Sequence, residues 1–217
     1  MAIGITPEVG NHGTDSGLDD TTDLSYLTNL HTLSLGDHSS TTLCITRLTS
    51  LKNIKYTSTV CSLFPHSFPN QLESLTLSRI YNVWHQPLPN LKRLRLKPPD
   101  RRYAHFTDLA KNNPYSLLNE LILDMAPLFS LSLFTTLTRL TIRGSCYASD
   151  YYNTLQTMNL KGLKSLESLE CSDLFILSNT FQNPLPSLTS LTIRNCVIIC
   201  KPSNFLSLRE GDNVIQL

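Results

Sequence analysis

Residues 188–193 read LTSLTI, and residues 137–142 repeat the pattern as LTRLTI. In both stretches apolar residues occupy the first, fourth and sixth positions. The fourth and sixth residues are separated by one residue, so in a strand both point to one side while the residue between them points to the other. Each stretch therefore predicts a short strand with one apolar face and one polar face.

The same pattern recurs along most of the chain. With conservative replacements, six further copies read LHTLSL, LKNIKY, LESLTL, LKRLRL, LNELIL and LESLEC, and they begin at Leu30, Leu51, Leu72, Leu91, Leu118 and Leu166. Successive copies start 19 to 29 residues apart, and most have another apolar residue three positions upstream. One such strand cannot bury its apolar face, but stacked copies form a parallel sheet over one continuous core. The eight copies therefore predict a solenoid.

These features resemble the leucine-rich repeat family from about Leu24 to Ile198. The resemblance implies an α/β repeat solenoid with a curved parallel β-sheet on its concave side. The family usually places Asn or Cys three residues after the last strand leucine, and Cys196 matches that position. The other copies do not match it, which predicts irregular turns and assigns no subfamily.

The return segments between the strands differ in length. Prolines ahead of several strands favour extended or 3₁₀-like returns over long helices; these are Pro65, Pro69, Pro87, Pro89, Pro184 and Pro186. Two longer returns have room for short helices on the convex side. One helix is predicted from Thr107 to Asn112 and the other from Asp150 to about Leu160.

The two ends of the chain differ from the repeats. Residues 1–23 contain five acidic residues and neither Lys nor Arg, so we expect a mobile acidic tail. Residues 24–217 are interpreted as one leucine-rich repeat domain, in which Ile215 and Leu217 predict a ninth, terminal strand. Because solenoids expose core at uncapped ends, end-to-end self-association is a further expectation.

Charged residues fill the positions between and just after the strand leucines of the later copies. We expect those of copies four to seven to line the concave face and to contact a protein partner; they are Lys92, Arg93, Arg95, Lys97, Glu120, Asp124, Arg139, Arg143, Glu167 and Glu170. Equivalent positions on neighbouring strands lie about 4.8 Å apart. The alternating signs therefore predict three ladders, Lys52–Glu73–Lys92, Arg93–Glu120–Arg139 and Lys97–Asp124–Arg143. One interpretation is that these ladders only cancel repulsion within the sheet.

The copy LKRLRL differs because its three charged residues and the Lys97 that follows it are all positive. Arg95 has Thr76 and Ile122 as its position-matched neighbours, which predicts uncompensated positive charge there. A second interpretation follows, in which this basic stripe receives an acidic segment of a partner through Arg–carboxylate contacts. The acidic tail of the same chain is a competing occupant.

The sequence predicts no catalytic, cofactor-binding or metal site. The six His residues lie in different copies or in the tail, no phosphate-binding glycine motif occurs, and Cys196 with Cys200 lack further zinc ligands nearby. A net charge of +1 argues against a nucleic-acid partner. No apolar run reaches the roughly 18–20 residues of a membrane span. Six dispersed Cys residues, the lack of an N-x-[ST] sequon and the lack of a signal peptide favour the cytoplasm or the nucleus.

Together these observations predict a non-catalytic protein–protein interaction module. The alternative is the substrate-recognition part of a ubiquitin ligase, because the irregular repeats are also similar to those of F-box proteins with leucine-rich repeats. The helical F-box that recruits the ligase is missing from this sequence.

Overall fold

The computed structural model describes residues 2–5, 21–24, 26–35, 42–45, 47–57, 68–77, 88–97, 116–124, 131–132, 134–144, 160–177, 184–201, 204–207 and 213–216. These residues contain fifteen strands, and no helix is present among them. In chain order the strands are β1 (Ala2–Ile5), β2 (Thr21–Asp23), β3 (Thr32–Leu35), β4 (Thr42–Cys44), β5 (Asn53–Tyr56), β6 (Ser74–Leu77), β7 (Arg93–Leu96), β8 (Glu120–Leu123), β9 (Arg139–Arg143), β10 (Ser168–Ser172), β11 (Phe175–Leu177), β12 (Ser190–Arg194), β13 (Val197–Lys201), β14 (Asn204–Ser207) and β15 (Asn213–Gln216).

Ten of these strands form one sheet in the order β1-β3-β5-β6-β7-β8-β9-β10-β12-β15. All neighbours are parallel except β12 and β15, which are antiparallel. The eight strands β3, β5 to β10 and β12 coincide with the eight copies of the sequence pattern, so the predicted strands are confirmed. The chain is therefore a solenoid of stacked coils with a parallel sheet.

The segments at the two ends join this sheet. β1 lies within the predicted tail and pairs in parallel with β3. β2, also in that segment, pairs in parallel with β4. Residues 6–20 lie outside the described residues. The predicted terminal strand is present as β15, but its antiparallel direction means that it is not a ninth coil of the stack.

Two small sheets are separate from the main one. β2 and β4 form a parallel pair, and β11 pairs in parallel with β13, which pairs in antiparallel fashion with β14. Return segments near both ends of the stack therefore contain strands. The predicted helix at residues 107–112 lies outside the described residues, and so do residues 150–159 of the other predicted helix.

The apolar residues at the first, fourth and sixth positions of the copies form three rows across the sheet, and the core also includes apolar residues of the return segments such as Leu48 and Phe134. The middle row shows the packing best, since its members pair in register from strand to strand and are at most 4% exposed between β3 and β10; they are Leu33, Ile54, Leu75, Leu94, Leu121, Leu140 and Leu169. Burying a leucine side chain contributes about 1.5–3 kcal/mol. This row, which we also call the leucine column, explains why the pattern recurs. Each coil contributes one apolar side chain to it, and that side chain lies between those of the two neighbouring coils.

Tight turns precede the repeat strands. Before seven of the eight repeat strands, the N–H of the first leucine donates to the carbonyl three residues earlier, as in Leu51 to Leu48 at 3.0 Å. The residue three positions upstream is thereby turned inward, and Leu48 is fully buried. In the turn before β10, Gly162 has φ of +99°, a conformation that side chains disfavour. Where the ends of the returns are described, they lead into the strands through turns.

Polar groups of successive coils are connected by side chains just ahead of the first leucine. Gln71 Nε2 donates to Leu48 O at 2.6 Å, and Thr136 Oγ1 donates to Leu118 O at 2.9 Å. Asn90 and Ser187 make the corresponding bonds to backbone carbonyls of the preceding coil. These bonds satisfy carbonyls in the turns that precede the strands. Cys196, which does match the family position, donates from Sγ to Cys171 O at 3.5 Å.

Candidate interaction face

The sheet has one buried side and one polar side. Burial alternates residue by residue along β5 to β9, with the leucine-type residues buried and the residues between them exposed or half-buried. We call the polar side the outward face. It is defined by the outward residues of the eight repeat strands together with the residue before and the residue after each strand. This face presents the charges that the sequence predicts as a binding surface.

The first predicted ladder is confirmed on the outward face. Lys52 Nζ lies 3.0 Å from one carboxylate oxygen of Glu73, and Lys92 Nζ lies 2.9 Å from the other. Hydrogen bonds from Lys92 and then Lys52 lower the pKa of Glu73 to about 2. The Glu73 carboxylate is therefore ionised at any pH near neutrality, and it serves two cations at once.

The second ladder is formed on one side only. Arg93 Nε lies 2.9 Å from Glu120 Oε2, as predicted for in-register neighbours on β7 and β8. Arg139 is in register with Glu120 from the opposite side, but it forms no ion pair with another described residue. The Glu120 carboxylate is thus paired with β7, and Arg139 stays exposed on β9.

The prediction that Arg95 lacks a counter-charge is wrong. Arg95 Nη2 lies 3.0 Å from Asp124 Oδ2, and its Nε donates to the same oxygen at 3.1 Å. Asp124 follows β8 directly and lies diagonally across from Arg95, within reach of a long guanidinium side chain. Arg143 approaches the same carboxylate only to 3.9 Å, and Lys97 forms no ion pair with another described residue. The third ladder therefore keeps only its Asp124–Arg143 contact, and Arg95 takes the place of Lys97 beside Asp124.

The charges of the outward face are unevenly distributed after this pairing. From β5 to β9 the face and its flanking positions carry eight basic residues against three acidic ones. The basic residues are Lys52, Lys55, Lys92, Arg93, Arg95, Lys97, Arg139 and Arg143, and the acidic ones are Glu73, Glu120 and Asp124. The β10 coil, residues 166–173, carries Glu167, Glu170 and Asp173 and no basic residue. The face is therefore positive over five strands and negative over the next one.

A depression of about 500 Å³ crosses the outward face from β5 to β10. Its lining comes from two consecutive positions of the repeat, which carry charged and neutral polar side chains; the lining residues are Asn53, Glu73, Ser74, Lys92, Arg93, Asn119, Glu120, Thr138, Arg139 and Glu167. None of these side chains is aliphatic. The depression is therefore suited to a polar or charged ligand and not to an apolar one.

Five of the ten predicted contact residues line the depression, namely Lys92, Arg93, Glu120, Arg139 and Glu167. Arg95, Lys97, Asp124, Arg143 and Glu170 lie on or beside the strands further along the same coils. Sequence reasoning missed the neutral members of the lining, Asn53, Ser74, Asn119 and Thr138. All four lie within the two positions that follow the first leucine of their copies, and this position identifies them once charge is not required.

The thiols of Cys171 and Cys196 are not activated. Burial, and to a smaller extent the nearby Cys196 and Glu170, raise the pKa of Cys171 to about 12. Burial is also the main cause that raises the pKa of Cys196. Both thiols are therefore protonated at neutral pH and pack as small apolar groups. Within the described parts of the chain, no group of three or more His, Cys, Asp or Glu side chains is arranged to hold a metal ion.

No helix among the described residues has the length and apolar character needed to cross a membrane.

Comparison with known proteins adds no family assignment. Neither a scan against protein-family models nor a search of curated proteins finds a match to this chain.

Proposed function

We propose that the chain is a non-catalytic leucine-rich repeat module that binds a protein partner on the outward face of its sheet. The main support is the sidedness of the sheet. One side is filled by leucines, whereas the other is a polar surface spanning eight repeat strands with a depression of about 500 Å³. A sheet of this kind offers a partner many side chains at a fixed spacing, which suits an extended protein surface better than a small molecule.

The assignment to the leucine-rich repeat type rests on local details. The copies begin with a turn and continue as a short parallel strand, in the order that the family pattern implies. Cys196 donates a hydrogen bond to the preceding coil from the position that the family reserves for Asn or Cys. The curved shape with a concave binding side follows from the same assignment.

The basic stripe on β7 retains a role in this proposal, with altered chemistry. Arg93 and Arg95 already hold carboxylates of the β8 coil, and Lys92 holds Glu73. An acidic partner segment therefore exchanges with Glu120 and Asp124 at the arginines or pairs directly with Lys97 and Arg139. Because these ion pairs are exposed to solvent, they increase the specificity and the rate of association more than the affinity.

The experiment compares partner recovery by two charge-reversal variants of the full chain. Arg93→Glu with Arg139→Glu changes the outward face, and Arg47→Glu with Lys164→Glu makes the same charge change in return turns, where both residues are exposed. Affinity purification with mass spectrometry follows, and circular dichroism verifies that both variants fold. We expect the face variant to lose partners that the turn variant keeps. Equal recovery by both folded variants contradicts the proposal.

A further inference from the structure

We propose that the outward face recognises a bipolar segment of its partner, with carboxylates over β7 to β9 and a cationic side chain over β10. This inference rests on the proposed function and names the chemistry of the partner. It follows from the charges that remain after the internal ion pairs are formed.

The positive part of the face has more basic side chains than its carboxylates can pair with. Glu73 is shared by Lys52 and Lys92, Glu120 is held by Arg93, and Asp124 is held by Arg95. Other cations have weaker or no pairs among the described residues, as Arg143 lies 3.9 Å from Asp124, and neither Lys97 nor Arg139 forms an ion pair. Arg139 is exposed and lines the depression. A carboxylate of a partner is the complementary group for this part.

The two glutamates in the negative part of the face have no cation at the position-matched sites of either neighbouring strand. Glu170 is in register with Thr141 on β9 and Thr192 on β12. Glu167 has Thr138 and Thr189 at the equivalent positions of the adjacent coils. Neither glutamate forms an ion pair with another described residue. This differs from Glu73 and Glu120, which have cations beside them, and a partner cation is the complementary group for β10.

The spacing of these groups fits one extended segment that crosses the strands. Neighbouring strands lie about 4.8 Å apart, so β7 and β10 are separated by about 14 Å. An extended chain covers that distance with about four residues at roughly 3.3 Å each. The depression runs in this direction from Arg93 through Arg139 to Glu167. Acidic residues followed within two to four positions by a basic residue therefore match the face.

A uniformly acidic segment matches the face less well. It would place carboxylates beside Glu167 and Glu170, and like charges in contact oppose binding. The same argument applies to a nucleic-acid strand, whose phosphates continue over β10. The bipolar segment is thus distinguished from both by its requirement for a cation at one end.

The test uses two fluorescein-labelled peptides and measures fluorescence polarisation at low ionic strength, where exposed charges are least screened. One peptide carries four Glu residues, a Gly and two Lys residues, and the other has Gln in place of both Lys. We expect the full-length chain to bind the bipolar peptide about fivefold more tightly, as two exposed ion pairs would give. The variant Glu167→Gln with Glu170→Gln should remove this preference, and the control variant Arg47→Gln should retain it.

Each alternative outcome overturns the inference. Equal or tighter binding of the all-acidic peptide contradicts the cation site on β10, and a preference that survives the double glutamate variant places the site elsewhere. Lack of binding by both peptides at millimolar concentration also refutes it. The recovery of native partners by the Arg93→Glu, Arg139→Glu variant is measured independently, so the proposed function stands or fails separately.

Discussion

Replacement of Leu140 by Ala tests the central claim that the leucine columns hold the coils together. Leu140 is 1% exposed and lies on β9 in register with Leu121 on β8 and Leu169 on β10. The change removes three carbon atoms from the middle of the column. At about 0.8 kcal/mol for each buried carbon, the transfer loss alone is about 2.4 kcal/mol.

The cavity left behind adds to this loss. Leu140 contacts the column from both neighbouring strands, so the gap cannot close without moving β8 or β10. We therefore expect a total destabilisation of about 3–4 kcal/mol, within the range for buried Leu→Ala changes. A Leu140→Asp variant places an unpaired charge in the same column and should leave the neighbouring coils unfolded.

The assay is urea denaturation followed by far-ultraviolet circular dichroism. Thr141→Ala provides the matched control, since Thr141 is the next residue on β9 but lies half-buried on the outward face. We expect the midpoint of Leu140→Ala to fall well below that of Thr141→Ala. If the two variants unfold at the same urea concentration, the assignment of inward and outward positions on β9 is wrong.

Three further outcomes are expected. Gly144→Ala should destabilise the fold by about 1–3 kcal/mol in thermal melts, because a Cβ there overlaps the carbonyl oxygen of Asp173; an unchanged melting temperature would contradict this close approach. The pKa of Glu73 is about 2 in the fold against an ordinary 4.5, so its contribution to stability is present above pH 4.5 and lost as the pH falls towards 2. NMR titration of Glu73 checks this, and a midpoint near 4.5 would refute the two-lysine ladder. Cys171 should react with iodoacetamide much more slowly in the native chain than in urea, as mass spectrometry of its peptide can show, and equal rates would contradict its burial.

The positions of the repeat strands are predictable from sequence because one physical requirement fixes them. An apolar residue at every second position must face the shared core, and the eight copies satisfy this even where Tyr56 or Cys171 replaces the last leucine. Residues between them are then assigned to the opposite face without further information. For the same reason, the Lys52–Glu73–Lys92 ladder follows from the pattern.

The features that sequence reasoning misses depend on reach and direction. The alternating pattern places Arg95 beside Thr76 and Ile122, but the length of an arginine lets it select Asp124 on the diagonal. A short apolar alternation also has no direction, so it could not indicate that β15 is antiparallel. β1 is missed for a third reason. It has only four residues, and the interpretation of residues 1–23 rests on the acidic composition of the whole segment.

The hydrogen bonds between coils make the alignment of neighbouring strands independent of the length of the return segments. From β3 to β12, the carbonyl just after the first leucine accepts two consecutive N–H groups of the next coil, as His31 does from Lys52 and Asn53 at 3.0 Å. This junction recurs whether the next copy starts 19 or 29 residues later. The register of neighbouring repeat strands is consequently the same for short and for long return segments. Changes in the length of a return segment therefore leave the register of the repeat strands on the outward face unchanged.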